Sequence, residues 1–234
     1  MILFLGDSFT WGQGLLFERW ITEEQKSQEY CNNFLPAGRF EQELFSYKDD
    51  LYRKTYHFPN LVAKHFNKPY VNQFGNGGTN YNILNILKNL KYQFGSSVIK
   101  SIECFIIQFT DFSRCVPTDG RSINFDFEIE LHKQCNNIFS EINNISPSIP
   151  IYTFSWRGDI GDILQNKYKE NYIPLIYNNI EYNNFDDILN NISLKSKYPN
   201  LNDEHFSIEG HEFISKNIIS KLENSKNISF TIFS

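Results

Sequence analysis

Short apolar runs of strand length alternate along the chain with stretches of helical spacing. Residues 2–5 are apolar throughout and stop at Gly6-Asp7-Ser8, which predicts a buried strand feeding a loop. Residues 60–66 have helical spacing behind Pro59, a residue suited to the first turn of a helix. Residues 70–72 predict a second strand, closed by Gly75-Asn76-Gly77-Gly78. Within 81–92, Ile83, Leu84, Ile86, Leu87 and Leu90 make the stripe of a core-facing helix. Residues 102–109 are apolar enough for a central strand. A long helix is expected over 125–145, ending before Pro147, then a fourth strand over 149–156 and a fifth over 173–177. The last helix is expected over 207–222, with Ile214, Ile218, Ile219 and Leu222 on one face; residues 228–233 have strand character but no assigned place.

This alternation predicts an α/β fold, a three-layer α/β/α sandwich around a parallel five-stranded sheet. Residues 15–55 interrupt it. They are rich in aromatic and charged side chains, lack a clear period, and read as an irregular insertion leaving the loop after the first strand. In parallel sheets the ligand site lies at the carboxyl ends of the strands. Four loops should therefore converge: those holding Asp7-Ser8, residues 75–80, Thr110-Asp111, and Asp203-Glu204-His205.

Length and charge narrow the functional classes. A chain of 234 residues suits one domain, 1–234, with the 15–55 insertion inside it. Lys plus Arg number 22 against 27 Asp plus Glu, a net charge of −5, which argues against a nucleic-acid partner. No apolar run approaches the roughly 18 to 20 residues of a membrane span. The first residues carry no basic leader and are not a secretion signal as they stand. Cys31, Cys104, Cys115 and Cys135 are scattered, with no CxxC pair and no His at ligand spacing. Reduced thiols in a cytoplasmic protein are expected, with no metal site.

The expected convergence would assemble the parts of an acyl-transfer site. Such chemistry needs a nucleophile, an imidazole base, a carboxylate to orient it, and donors for the oxyanion. Ser8 follows a buried strand; His205 and Asp203 sit just before the last helix; Gly77-Gly78 offers a backbone that can approach a substrate closely. Asp7 is expected to be structural, bonding within the loop beside the nucleophile. His211 falls inside the last helix and is expected to pack or cap, while His57, His65 and His132 have no motif partners. The glycine block lacks a following GK[ST] and the spacing of a phosphate loop. The GxSxG elbow of the α/β-hydrolases is absent, because Thr10 stands at the second glycine.

Residues 6–14, Gly-Asp-Ser-Phe-Thr-Trp-Gly-Gln-Gly, resemble the nucleophile block of the SGNH or GDSL hydrolases. Residues 75–80 are similar to that family's glycine block, and 203–207 with Gly210-His211 to its closing block. All three occur in the family's order across nearly the whole chain. The resemblance implies a flavodoxin-like sheet, Ser8 as nucleophile, His205 as base, Asp203 as acid, and the N–H groups of Ser8 and Gly78 as oxyanion donors. Two positions depart from the pattern. The family's third block offers an Asn after a Gly, where this chain has Gln108-Phe109-Thr110-Asp111; Thr110 is the nearest match, with Asn80 as the other possible donor. The closing block is commonly Asp-x-x-His, and here Asn202 holds that distance while Asp203 is two residues before His205, as in some members.

The resemblance implies hydrolysis of a small-molecule or glycan ester through an acyl-enzyme, without a cofactor. The polar strand ends favour a short acyl group, such as an O-acetylated carbohydrate. A non-catalytic glycan-binding relative and an acyltransferase are the alternatives. Trp11, Phe17, Trp20 and Arg114 are candidate substrate contacts. The aromatic residues of the insertion can equally form a satellite core, and Arg114 and Arg157 can equally form surface ion pairs.

Overall fold

The computed structural model describes residues 1–7, 10, 12–34, 46–74, 78–110, 127–182 and 205–225. Four strands form one parallel sheet: β1 (Ile2–Gly6), β2 (Tyr70–Phe74), β3 (Cys104–Phe109) and β4 (Ile151–Ser155), in the order β2-β1-β3-β4. Pairing runs Phe4 with Asn72 on one side and Phe4 with Ile106 on the other, and Ile106 continues to Tyr152. The strand alternation then sorts side chains between two cores. Ile2, Phe4, Ile106 and Phe154 face one layer, which holds α4 (Phe58–His65) and α8 (Ile208–Glu223). Leu3, Leu5, Phe105 and Ile107 face the other, with α5 (Asn80–Lys100), α6 (Phe127–Ile145) and α7 (Gly158–Lys167). Burying a side chain of this size fully contributes about 1.5–3 kcal/mol. Both faces being covered explains why β1, β3 and β4 are buried at every position and read as mostly apolar runs rather than alternating ones.

The expected fifth strand is present in part but does not join the parallel sheet. Residue Tyr172 makes a single parallel bridge to Thr153, and the Ile173 N–H donates to the Thr153 carbonyl at 2.8 Å. Pro174 follows and has no N–H to continue the ladder. The chain leaves the sheet there and forms a small antiparallel hairpin, β5 (Leu175–Tyr177) and β6 (Ile180–Tyr182), turning through Asn178 and Asn179 at φ 50° and 64°.

The reading of 15–55 as irregular is a correction. Its described residues include α1 (Gln13–Thr22), α2 (Gln28–Phe34) and α3 (Tyr47–Tyr56). Ser46 caps α3 with a reciprocal capping box: its hydroxyl accepts from the Asp49 N–H at 3.2 Å, and Asp49 accepts from the Ser46 N–H at 2.7 Å. Helix α7 had no counterpart in the sequence reading, because Gly158 and Gly161 weaken its helical signature although Ile160 and Leu164 pack into the core. The expected 228–233 strand lies outside the described residues. No described helix is long and apolar enough to cross a membrane.

Candidate active site

The strand order reverses between β1 and β3, since β1 connects to β2 on one side and the chain returns to β3 on the other. In open parallel sheets this switch point, at the carboxyl ends, is where ligands bind. Asp7 follows β1 and Thr110 follows β3, and the two meet there: the Thr110 hydroxyl donates to Asp7 Oδ2 at 2.6 Å. Asp7 is fully buried and its other oxygen accepts from Gln108 Nε2 at 2.8 Å. Asp7 is thus tied to side chains of β3 and of the residue that follows it. Thr10, also buried, donates its hydroxyl to Gln108 Oε1, and its carbonyl accepts from Asn72 Nδ2 on β2 at 3.2 Å. Gly6 allows this arrangement, for a Cβ there would collide with the Thr10 side chain and come within 3.2 Å of Gln108 Cβ.

A second buried chain of amides lies beside the first. The Thr110 N–H donates to Asn80 Oδ1 at 3.0 Å, and Asn80 Nδ2 donates to Gln134 Oε1 at 2.8 Å and, at 3.4 Å, to the Thr110 carbonyl. Asn80 opens α5 behind Thr79, whose hydroxyl accepts from the Asn82 N–H at 3.3 Å. Gly78 is buried immediately before that cap. The network has a chemical consequence: the one proton of the Thr110 hydroxyl goes to Asp7, and both Asn80 amide hydrogens are engaged.

His205, from the far end of the chain, lies against the start of α1. A Cβ on Gly14 of α1 would lie 2.6 Å from the Phe206 carbonyl oxygen and 3.1 Å from His205 Cβ, so the start of α1 presses directly on the His205 segment. Ser207 caps α8, accepting from the Gly210 N–H at 3.2 Å, and the Ile208 N–H donates to Glu18 Oε2 of α1 at 3.2 Å. His205 is half-buried.

His211 stands one turn into α8 and is fully buried, stacked on Phe58 with ring centroids 5.8 Å apart. The Phe58 N–H donates to its Nδ1 at 3.3 Å. Burial, reinforced by Coulombic repulsion between a charged His211 and its neighbours, holds its pKa well below the ordinary imidazole value. An imidazole whose lone pair already accepts from an amide, in a site that disfavours its charge, is a packing residue. His57 Nε2 meets the Tyr70 hydroxyl at 2.9 Å, His65 pairs with Glu223 at 2.9 Å, and His132 meets the Tyr168 hydroxyl at 3.0 Å. Burial pushes the Cys104 thiol up to about 12, which leaves it protonated and inert.

The other expected site residues divide into two groups. Ser8, Trp11, Arg114, Asn202 and Asp203 lie outside the described residues. Phe17 and Trp20 are buried on α1, edge to face at 5.7 Å, and the Trp20 indole donates to Asp49 Oδ1 of α3 at 2.7 Å. Arg19 Nε joins the same carboxylate at 2.9 Å. Burial opposes the Asp49 charge, but hydrogen bonds from Ser46, Trp20 and Arg19 outweigh it and hold the carboxyl below its usual range. Both rings therefore pack within the α1–α3 layer. Arg157 pairs with Asp159 at 3.1 Å. Sequence reading overlooked Gln108, Gln134 and Glu18, polar residues buried on a strand or helix. The available signal was Gln108 itself, a lone amide closing an apolar run.

No protein-family model and no curated protein sequence matches the chain. Its structure is similar to several solved ones. One is a protein assigned to the lipolytic G-D-S-L family from Desulfitobacterium hafniense DCB-2: 12% identity, 94% of this chain and 98% of that one covered, TM-score 0.50. A second is LAE5, an alpha/beta hydrolase enzyme from the metagenome of Lake Arreo, with 12% identity, coverage of 94% and 93%, and TM-score 0.51. A third is a carbohydrate esterase whose active site displays divergent catalytic and non-catalytic binding functions, with 16% identity, coverage of 96% and 68%, and TM-score 0.52. At these identities the likeness is one of fold.

Proposed function

From the premise that the chain has an SGNH/GDSL hydrolase fold, we propose that it is a single-domain serine ester hydrolase working through an acyl-enzyme. Two contacts between distant segments support the reading. Asp7, the neighbour of Ser8, is hydrogen-bonded to Thr110, while α1, which follows the Ser8 loop, abuts His205 through Gly14. In this reading Ser8 Oγ attacks the acyl carbon and His205 takes its proton, then delivers it to the departing alkoxide. Asp203 orients the imidazole and stabilises the imidazolium. Water repeats the sequence and releases the acid.

The N–H groups of Ser8 and Gly78 hold the oxyanion. Engagement of the Thr110 hydroxyl and the Asn80 amide within the buried network supports a hole of two backbone donors, with Thr110 and Asn80 supporting the loop from beneath. Burial of Phe17 and Trp20 supports a structural role for both, which leaves Trp11 and Arg114 as the candidate substrate contacts. Likeness to a carbohydrate esterase supports a short acyl ester of a sugar as substrate. Among the described residues, the buried thiols of Cys104 and Cys135 are in no disulfide, which supports a reducing, cytoplasmic setting.

The test is a series of p-nitrophenyl esters of increasing acyl length and acetylated oligosaccharides, with Ser8→Ala and His205→Ala as controls. The reading expects acetyl to be the best acyl group and both variants to lose several orders of magnitude in turnover. Wild-type protein that binds acetylated sugar without turnover would make it a non-catalytic binder. Turnover retained in Ser8→Ala would move the chemistry elsewhere.

A further inference from the structure

Gln108 is fully buried at the carboxyl end of β3, where an amide side chain is costly unless both of its ends are hydrogen-bonded. Both are. Its Nε2 donates to Asp7 Oδ1 at 2.8 Å, and its Oε1 accepts from the Thr10 hydroxyl. Asp7 and Thr10 are the residues on either side of Ser8-Phe9. One side chain on a central strand therefore ties down both flanks of the segment that bears Ser8. We propose that Gln108 is a positioning residue that fixes the nucleophile loop, an inference that rests on reading Ser8 as the nucleophile.

The chemistry of the clamp selects a carboxamide. One partner is a carboxylate, which only accepts; the other is a hydroxyl that here donates. An ionised carboxylate at 108 has no proton for Asp7, and an apolar side chain serves neither partner. The surroundings reinforce the same geometry. Gly6 lets Thr10 fold down onto the strand ends, Asn72 holds the Thr10 carbonyl at 3.2 Å, and Thr110 takes the second Asp7 oxygen at 2.6 Å. A displacement of about 1 Å of a reacting group costs on the order of a hundredfold in rate, so a loop bound on both flanks has a direct kinetic purpose.

The test uses Gln108→Met, which keeps length and removes both bonds, and Thr10→Val, which keeps shape and removes one. Three quantities are measured on the full chain: the rate of fluorophosphonate labelling at Ser8 per folded molecule, kcat and KM for p-nitrophenyl acetate, and the melting temperature. Gln108→Met should label and turn over about ten- to a hundredfold more slowly, with KM within about twofold of wild type. Thr10→Val should lose less, and the double variant should be no slower than Gln108→Met alone, since both act on one clamp. If Gln108→Met fails to fold, Thr10→Val alone must show the fall in kcat at unchanged KM. Folded variants that label at the wild-type rate would overturn the role of Gln108 while leaving Ser8 as nucleophile. A wild-type protein that does not label at Ser8 at all would overturn the functional reading and this inference with it.

Discussion

A hydroxyl has one proton to give, and at the switch point the Thr110 proton goes to a buried carboxylate at 2.6 Å. Thr110→Val should therefore act first on stability: leaving Asp7 short of a donor costs about 1–3 kcal/mol, read as a lower urea midpoint at constant m value. A variant of unchanged midpoint with turnover reduced a hundredfold would instead make Thr110 an oxyanion donor. His211 gives a second prediction, this one in pH. Its folded pKa lies well below 6.5 because the buried ring resists charging, while in the unfolded chain it titrates normally. The unfolded state then binds one proton more than the native state as pH falls below about 6.5. His211 should draw stability down by about 1.4 kcal/mol per pH unit through that range, and leave it independent of pH above. His211→Leu should be less stable at pH 7.5, having lost the acceptor for the Phe58 N–H, yet show a shallower fall between pH 6.5 and 5. Equal slopes in urea titrations of the two proteins would mean that His211 charges in the folded state. The sequence allowed both histidines of the closing segment to be told apart, since one precedes the helix and one lies inside it; the burial that keeps His211 from charging, and its interactions with Phe58, His57 and Arg53, involve residues far away in sequence.

Elements were legible where their burial is uniform. Strands β1, β3 and β4 are buried at every position, and each stood out as an apolar run. Helix α3 shows the opposite case: its sequence, YKDDLYRKTY, is polar and has only Asp49 and Arg53 buried, so no apolar stripe announces it. Its signature is the Ser46-x-x-Asp49 capping box, a local feature that depends on two residues rather than on periodicity. Ser46→Ala should cost about 1 kcal/mol, as other N-cap substitutions do, and the loss should be seen by thermal melting without change in ester turnover. Helix α1 meets the closing segment at Gly14, where backbone rather than side chain sets the distance. Gly14→Ala should force His205 and Phe206 outward, costing about 1–3 kcal/mol as overpacking does, and should lower turnover as well as melting temperature. Turnover unchanged in that variant would separate α1 from the geometry of His205. The strand expected at 173–177 forms over Leu175–Tyr177 but outside the main sheet, and the cause is equally local: Pro174 has no N–H to continue the pairing that Ile173 makes with Thr153.

At the scale of the whole molecule, alternation of apolar runs and helical stripes was enough to fix the layers, because a sheet covered on both faces leaves little else for such a pattern to form. Of the loops expected to converge through the switch-point rule, the described residues join Asp7 to Thr110 and Thr110 to Asn80, while His205 lies against Gly14 of α1. The buried polar network was not legible. Gln108, Asn80 and Gln134 come from three elements, and nothing in local composition says that one amide will face another. The central claim, that this end of the sheet activates Ser8, is tested most directly by fluorophosphonate modification followed by peptide mass mapping. The account predicts one adduct, on Ser8, absent in Ser8→Ala and strongly slowed in His205→Ala. An adduct on another residue, or modification of Ser8 at an undiminished rate in His205→Ala, would contradict it.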